Sequence, residues 1–312
     1  MAFWAIVRDT INEIRVKKLF WINLILSLVA VGAMACWSFD DKGVHFLHYS
    51  FESDWWSTSH PLFRSTISTF IVNGFLISVY IGWLGTVLGL ISTSGIFPSI
   101  MEKGAIDCVL ARPISRWQIF LAKYVGSLFF VAVQATFFVV LSFLVMGWRW
   151  AAWFPGYLWT IPLLIVLFSY LYCMCVVFAL WTRSGLTSLL LTLAFWAVIW
   201  LPQVGHEVLL SRPEFDRWPR LKQGIAVLKW VVPNTVEIPR LAERLMDDTD
   251  PTEHADRGFF SQPGLNKDDV VRALEVEKKM KFTPWYYAIG SSLLFEAVVL
   301  LLAGWRFSRK DF

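Results

Sequence analysis

The sequence predicts an all-α integral membrane protein with six transmembrane helices, and three observations carry that prediction. The first is composition: of 312 residues 56% are hydrophobic, with 18 Trp and 26 Phe, and the mean hydropathy is +0.55, outside the usual range of soluble domains. The second is length without charge. Residues 19–39, 65–101, 124–148, 150–182 and 184–206 hold no Asp, Glu, Lys or Arg, and 284–305 holds only Glu296; a hydrocarbon core needs about 20 such residues. The third is the placement of Trp at run ends, where an indole has its ring in apolar surroundings and its N–H wet. Trp21 and Trp37 bracket the first run, Trp148 and Trp159 flank one turn, and Trp285 and Trp305 bracket the last. The spans are expected near 20–38, 69–92, 122–147, 158–181, 185–204 and 285–305, in a single transmembrane domain over 1–312.

Ahead of the first span, residues 1–18 place Phe3, Val7, Ile11 and Ile14 on one helical face, with Trp4 and Ile6 at its edges. Arg8, Asp9, Asn12 and Arg15 lie opposite, the pattern of an interfacial helix. Lys17, Lys18, an apolar run and Ala33-Met34-Ala35 also resemble a signal peptide. The run continues through Cys36, Trp37 and Phe39, which favours an uncleaved anchor.

Six spans place both termini on one side, and Lys and Arg choose it. That side holds four basic residues in 1–18, four in 93–123, one in 182–184 and three in 306–312. The short opposite loops hold Lys42, Arg64 and Arg149. Both termini are therefore expected in the cytoplasm. The net charge of +4 reflects this asymmetry and is not a nucleic-acid footprint.

The loop 40–64 carries His45, His48 and His60; His45 and His48 can share a helical face, but two His without a third ligand make a weak metal site. No metal ligand set is assigned. Residues 205–283, with 13 basic and 14 acidic residues, have soluble composition and are expected to form an extracytoplasmic helical insertion, with short helices around VLKWVVPNTV and EIPRLAERLMDD. Cys36, Cys173 and Cys175 fall in spans and Cys108 lies on the cytoplasmic side, so no disulfide framework is implied. Glu296 is an intramembrane carboxylate, a functional candidate by default; the plainer reading is a hydrogen bond to a neighbouring span, through Gln134 or Asn73.

Two motif classes are missing. There is no Gly-Lys dipeptide and hence no GxxxxGK[ST] phosphate loop, and neither HExxH nor GxSxG occurs. No catalytic residues are assigned.

The most informative stretch is SIMEKGAIDCVLARPISRWQIFLAK, residues 99–123, between the second and third spans. Ser99 with Glu102 can form a capping box for a helix from Ile100 to about Ala111, which Pro113 ends at Arg112. Ser115 with Gln118 repeats the box, with Ile114 and Ile119 as a hydrophobic staple. On a helical wheel Gly104, Ala105, Cys108 and Ala111 share the small-residue half. Ile106 and Leu110 sit among Glu102, Lys103 and Asp107: either two apolar knobs with a polar rim, or an interfacial helix touching lipid. Arg112 and Arg116 can also snorkel as anchors.

The string EKGAIDCVLARPISRWQIFLAKY resembles the signature of the type-2 ABC transporter permease family, in which an acidic residue and a Gly precede "lLs-PisR" and an apolar stretch with Lys opens the next span. Glu102, Gly104, Leu110, Pro113, Ile114, Ser115, Arg116 and Lys123 match. An amphipathic N-terminal helix with Glu13 and Arg15, the six-span layout and the ending GWRFSRKDF are similar to the family as well; 205–283 is longer than its simple pattern.

The resemblance implies a permease subunit of an ATP-binding-cassette exporter in the plasma (inner) membrane of a prokaryote. Its partners would be ATP-binding subunits, which hold the ATP and Mg, and a second permease copy or paralogue; this chain itself would carry no cofactor. Residues Glu102, Lys103, Gly104, Ile106, Asp107, Leu110, Arg112, Pro113, Ser115 and Arg116 would then belong to a coupling helix, with Ile106 and Leu110 inserted in the ATPase. Two other classes are a stand-alone secondary transporter or channel, which calls for several intramembrane charges or paired broken helices, and a membrane-embedded enzyme using His45, His48 or Glu296. The substrate is not encoded in the fold.

Overall fold

The computed structural model describes residues 2–16, 18–47, 49–52, 58, 63, 67–101, 115–211, 224, 233–246 and 285–309. In chain order these give α1 (Ala2–Val16), α2 (Lys18–Ala35), strands β1 (Trp37–Asp40), β2 (Gly43–Phe46) and β3 (Tyr49–Glu52), a segment wound at π pitch (Ile67–Gly85), α3 (Thr86–Thr93), α4 (Ile96–Ile100) and α5 (Arg116–Arg149). A 3-10 turn (Pro155–Trp159), α6 (Thr160–Thr182), α7 (Gly185–Ser211), α8 (Glu237–Met246) and α9 (Trp285–Arg309) complete them.

The chain is a multi-pass helical membrane protein. Among the described residues, five helical stretches are long and apolar enough to cross a membrane: Ile71–Ile100, Arg116–Arg149, Pro155–Thr182, Gly185–Gly205 and Ile289–Arg309; another apolar helix, Phe20–Ala35, is shorter. α6 is the central helix, its membrane-length window 72% buried against 22–41% in the others. Its inward side chains include Tyr170, Leu171, Tyr172, Cys173 and Val176. The outward side chains of the peripheral helices, such as Ile25 and Val29 on α2 or Leu294 and Leu301 on α9, are exposed apolar residues, as a lipid-facing surface requires.

One boundary follows the local signal and another departs from expectation. α5 begins at Arg116, where the expected capping box starts it: Ser115 accepts from the Gln118 amide and the Gln118 side chain accepts from the Ser115 amide, so the helix begins ahead of the span placed at 122–147. The second crossing continues past 92 through α3 and α4, so Ser99 lies inside α4 and does not cap a helix starting at Ile100.

A small three-stranded sheet accompanies the all-α bundle. The strands form an antiparallel meander in the order β1-β2-β3, with bends at Asp41-Lys42 and after Phe46. Gly43 takes φ 133° and Leu47 φ 54° at these bends. His45 is therefore a strand residue and not on a helix; His48 lies outside the described residues.

Helices approach closely where side chains are smallest. A Cβ on Gly304 of α9 would fall 1.6 Å from the Trp117 ring of α5, and one on Gly126 would fall 2.9 Å from Thr10 Cβ of α1. Between α7 and α9, residues 233–236 form a polar plug: Gln203 Nε2 donates to the Pro233 carbonyl at 2.8 Å, the Val236 amide donates to Gln203 Oε1 at 3.0 Å, and the Asn234 amide donates to Ser292 Oγ at 2.9 Å. These bonds satisfy backbone groups that leave helical geometry beside apolar helices. The expected helix around EIPRLAERLMDD is α8, with Ile238, Leu241 and Ala242 buried.

Gly304→Ala should lower stability by about 1–3 kcal/mol, because Trp117 must leave its place. Adding Trp117→Leu should recover most of the loss. Thermal unfolding of the four purified variants in detergent checks this, and a silent Gly304→Ala would contradict the packing.

Candidate functional site

The residues expected to dock an ATPase mostly fall outside the description: Glu102, Lys103, Gly104, Ile106, Asp107, Leu110, Arg112 and Pro113 lie outside the described residues. Their flanks, Met101 and Ser115, are described, and these show how the segment is mounted.

Three elements meet there. α1 turns Ile6, Val7 and Thr10 onto α5, where Ile6 and Val7 pack with Ile119 and Ala122 and Ile11 lies against them. Arg8, Asp9, Asn12 and Arg15 face outward, as the amphipathic pattern predicts. Trp4, expected at the edge of the apolar face, is 71% exposed. The close approach to Gly126 sets the depth of packing, and Thr10 Oγ1 satisfies itself by donating to the Ile6 carbonyl at 2.8 Å.

At the end of that contact sits Glu13. Lys123 Nζ lies 2.7 Å from Glu13 Oε2, with Lys123 only 8% exposed and Glu13 29%. Ser99 Oγ lies 3.0 Å from the other carboxylate oxygen. One carboxylate thus touches the last helix before residues 102–114 and the first helix after them. Lys123 can be buried in an apolar bundle only because this counter-charge meets it; removing one partner of a buried pair leaves the other uncompensated.

The opposite flank of α5 is tied to α9. Arg116 Nη1 reaches the Ser308 carbonyl at 3.4 Å, Trp117 fills the notch at Gly304, and Phe120 packs between Phe97 of α4 and Phe307 of α9. The first two turns of α5 are therefore held by α1, α4 and α9 together. Ser115 and Arg116 have structural roles here, as helix cap and as a link to α9. Sequence reading noted Glu13 and Lys123 only as matching positions; their pairing needed the fold, although a buried Lys beside a membrane run signals a hidden carboxylate.

Deeper in the bundle Glu296 joins three helices. Tyr124 Oη of α5 donates to Glu296 Oε1 at 2.7 Å, and Ser169 Oγ of α6 lies 2.8 Å from Oε2. Tyr124 stacks on Tyr172, which in turn shares a hydrogen bond with Ser127 at 2.7 Å. The partners are hydroxyls, not the expected amides of Gln134 and Asn73. Among the described residues, Gln134 Oε1 and Asn73 Oδ1 are buried without a hydrogen-bond partner. With both oxygens of Glu296 engaged inside the bundle, the arrangement is a cross-link of α5, α6 and α9.

A small cavity lies between α2, the π-wound segment, α5 and α6, lined by Asn23, Ser27, Tyr80 and Gln134 with apolar neighbours. About 20 Å³ of it admits the centre of a water molecule, room for about one water and far below a pocket for an organic ligand. Among the described residues no three His, Cys, Asp or Glu side chains are grouped as a metal site requires.

Tyr124→Phe and Ser169→Ala should each cost about 1–3 kcal/mol of stability, the penalty for an orphaned buried acceptor. The double variant should cost less than their sum, since both act on one carboxyl group. A double-mutant cycle by chemical denaturation in detergent measures the coupling; strict additivity would show that the two bonds are independent.

No curated protein matches the chain significantly. The family model described as "ABC-2 family transporter protein" matches residues 4–312, which takes in α1 with Glu13, the mounting around Ser99 and Lys123, and the last helix to its end. The chain that builds this three-way mounting therefore belongs to the ABC-2 family of transporter proteins.

Proposed function

We propose that this chain is the permease subunit of an ATP-binding-cassette exporter, driven by ATP hydrolysed on separate subunits. The observation that carries the reading is the family match over 4–312. The mounting of residues 102–114 supports the place where force enters: a short segment whose two flanks share the Glu13 carboxylate is held like a lever at its pivot. In this reading Ile106 and Leu110 insert into the ATP-binding subunit, Glu102, Lys103 and Asp107 orient it, and Gly104 lets the segment lie close to its neighbours. Arg112 and Pro113 make the bend that Ser115 and Arg116 close.

Six spans, with Phe20–Ala35 as the first, then put both termini and the coupling segment on the cytoplasmic side of a prokaryotic plasma membrane, in keeping with the Lys and Arg asymmetry. Residues 205–283 become an extracytoplasmic insertion whose α8 and 233–236 plug return into the bundle. A second copy or a paralogue completes the pathway, as the family resemblance implies. ATP and Mg belong to the partner subunit; this chain contributes no catalytic residue.

Ile106→Asp and Leu110→Asp should each leave the permease folded while transport falls at least tenfold and copurification of the ATP-binding subunit weakens. Glu13→Gln should reduce transport per ATP hydrolysed, since Lys123 loses its counter-charge and the pivot slackens. Reconstituted complexes assayed for both ATP turnover and transport decide the matter. Failure to recover any ATP-binding subunit with the wild-type chain, or unchanged coupling in both Asp variants, would overturn the reading.

A further inference from the structure

The meander β1–β3 has two chemically distinct faces. Directly paired residues of an antiparallel sheet share a face, and successive residues alternate. From the pairs Trp37 with Phe46, Phe46 with Tyr49, Phe39 with Val44 and Val44 with Phe51, one face consists of Trp37, Phe39, Val44, Phe46, Tyr49 and Phe51. The other holds Ser38, Asp40, Gly43, His45 and Ser50. The separation is complete.

The protein uses only part of the apolar face. Phe39 is 8% exposed, edge-on to Trp150 and Phe63, and Val44 packs against the same core. Elsewhere the face is bare: on β3 Tyr49 is 73% exposed and Phe51 62%, and at the start of β1 Trp37 is 45% exposed. Hydrogen bonds fix its height in the molecule. Arg149 Nε donates to the Ala35 carbonyl at 3.0 Å and Trp150 Nε1 to the Trp37 carbonyl at 3.2 Å, so the sheet lies where α2 and α5 leave the apolar layer. Trp148, 89% exposed, and Trp153, 49% exposed, mark the same level.

We propose that the meander is an amphipathic interfacial sheet, with the free half of its aromatic face lying in the lipid headgroup layer. The occupant follows from continuity. The exposed apolar flanks of α2 and α5, including Val29 and Leu144, run up to Trp37 without a polar break in ownership: the same two helices carry the sheet. Indole and phenol groups are the side chains suited to that layer, an apolar body with a polar tip. Water on the bare face would leave three large rings solvated, whereas headgroups cover the rings and leave Ser50, His45 and Asp40 wet. Lying there, the sheet fixes the height of the α2 and α5 ends relative to the bilayer. This inference concerns the sheet alone and stands apart from the transport reading.

The test is site-directed spin labelling of the full chain in nanodiscs of phosphatidylcholine and phosphatidylglycerol. Tyr49→Cys, Ser50→Cys and Phe51→Cys are labelled singly in a background with Cys36 and Cys108 replaced by Ser; Cys173 and Cys175 are buried. Labels at 49 and 51 should collide with oxygen several-fold more, relative to a water-soluble nickel chelate, than the label at 50. That period-two alternation is the signature of one face in lipid. Equal nickel accessibility at all three positions would place the sheet in water and overturn the proposal. Dipolar broadening between labels, or shielding of 49 and 51 from both reagents, would overturn it too, by showing a second copy or another protein on the face.

Discussion

Once helices are in hydrocarbon, lipid tails cover their apolar surface as well as another helix does, so close approach and polar pairing must hold them together. This constraint organises the bundle. Its tightest contacts are at glycines: Gly304 accepts the Trp117 ring, Gly126 accepts Thr10, Gly89 lies under Phe168, and Gly185 meets the backbone of Gly95. Each brings two backbones within reach of dispersion forces that bulky residues would hold apart. Polar groups add direction. Ser27 pairs with Tyr80, Ser127 with Tyr172 and Ser142 with Tyr157, each a hydroxyl pair joining neighbouring elements at one height.

Charge in such a medium has to be matched, and the two matched sites divide the labour. Glu13 and Lys123 sit where α1 meets α5, with the Glu13 side chain partly exposed; their pairing joins those two helices. Glu296 lies in mid-helix and is satisfied by hydroxyls from α5 and α6. The first site is electrostatic and sensitive to loss of either partner. The second is a hydrogen-bonded brace in which the acceptor is single and the donors are two. Outside these helices Glu237 of α8 lies near Arg240 and Arg244, and burial pulls the Arg244 guanidinium below its ordinary range, with Glu237 opposing.

Most of the crossing helices were legible because about 20 uncharged residues in a row have few other uses. The start of α5 shows what charge counting misses. The uncharged run starts after Lys123, and charge counting alone treats that Lys as its boundary; the fold buries it because Glu13, 110 positions away, arrives on another helix. The local signal was the better guide, since the Ser115 and Gln118 box needs no tertiary partner. The sheet was missed for the opposite reason. WSFD, VHF and YSFE alternate aromatic and polar residues with period two, but neighbouring charges and histidines gave that stretch the look of an irregular loop. Glu296 was flagged and its partners were not, because no spacing along the chain encodes which hydroxyl on another span reaches it.

The same bonds decide how α5 can move. Its 34 residues, about 51 Å of helix, exceed the hydrocarbon thickness, so both ends project and both are tied. At one end the Ser115 cap, Glu13 and the Trp117 notch bind it to α1, α4 and α9; at the other Arg149 and Trp150 bind it to Ala35 and Trp37. A rigid rod tied at several heights cannot slide past its neighbours without breaking several contacts at once. It can tilt with α9 and α6, to which Glu296 pins it at mid-height. Under the proposed function, a push on residues 102–114 would then reach the membrane as rotation of the α5, α6 and α9 block, not as piston motion of one helix. On the other side lies the π-wound stretch Ile67–Gly85, where Ser78 Oγ bonds back to the Asn73 carbonyl five residues earlier.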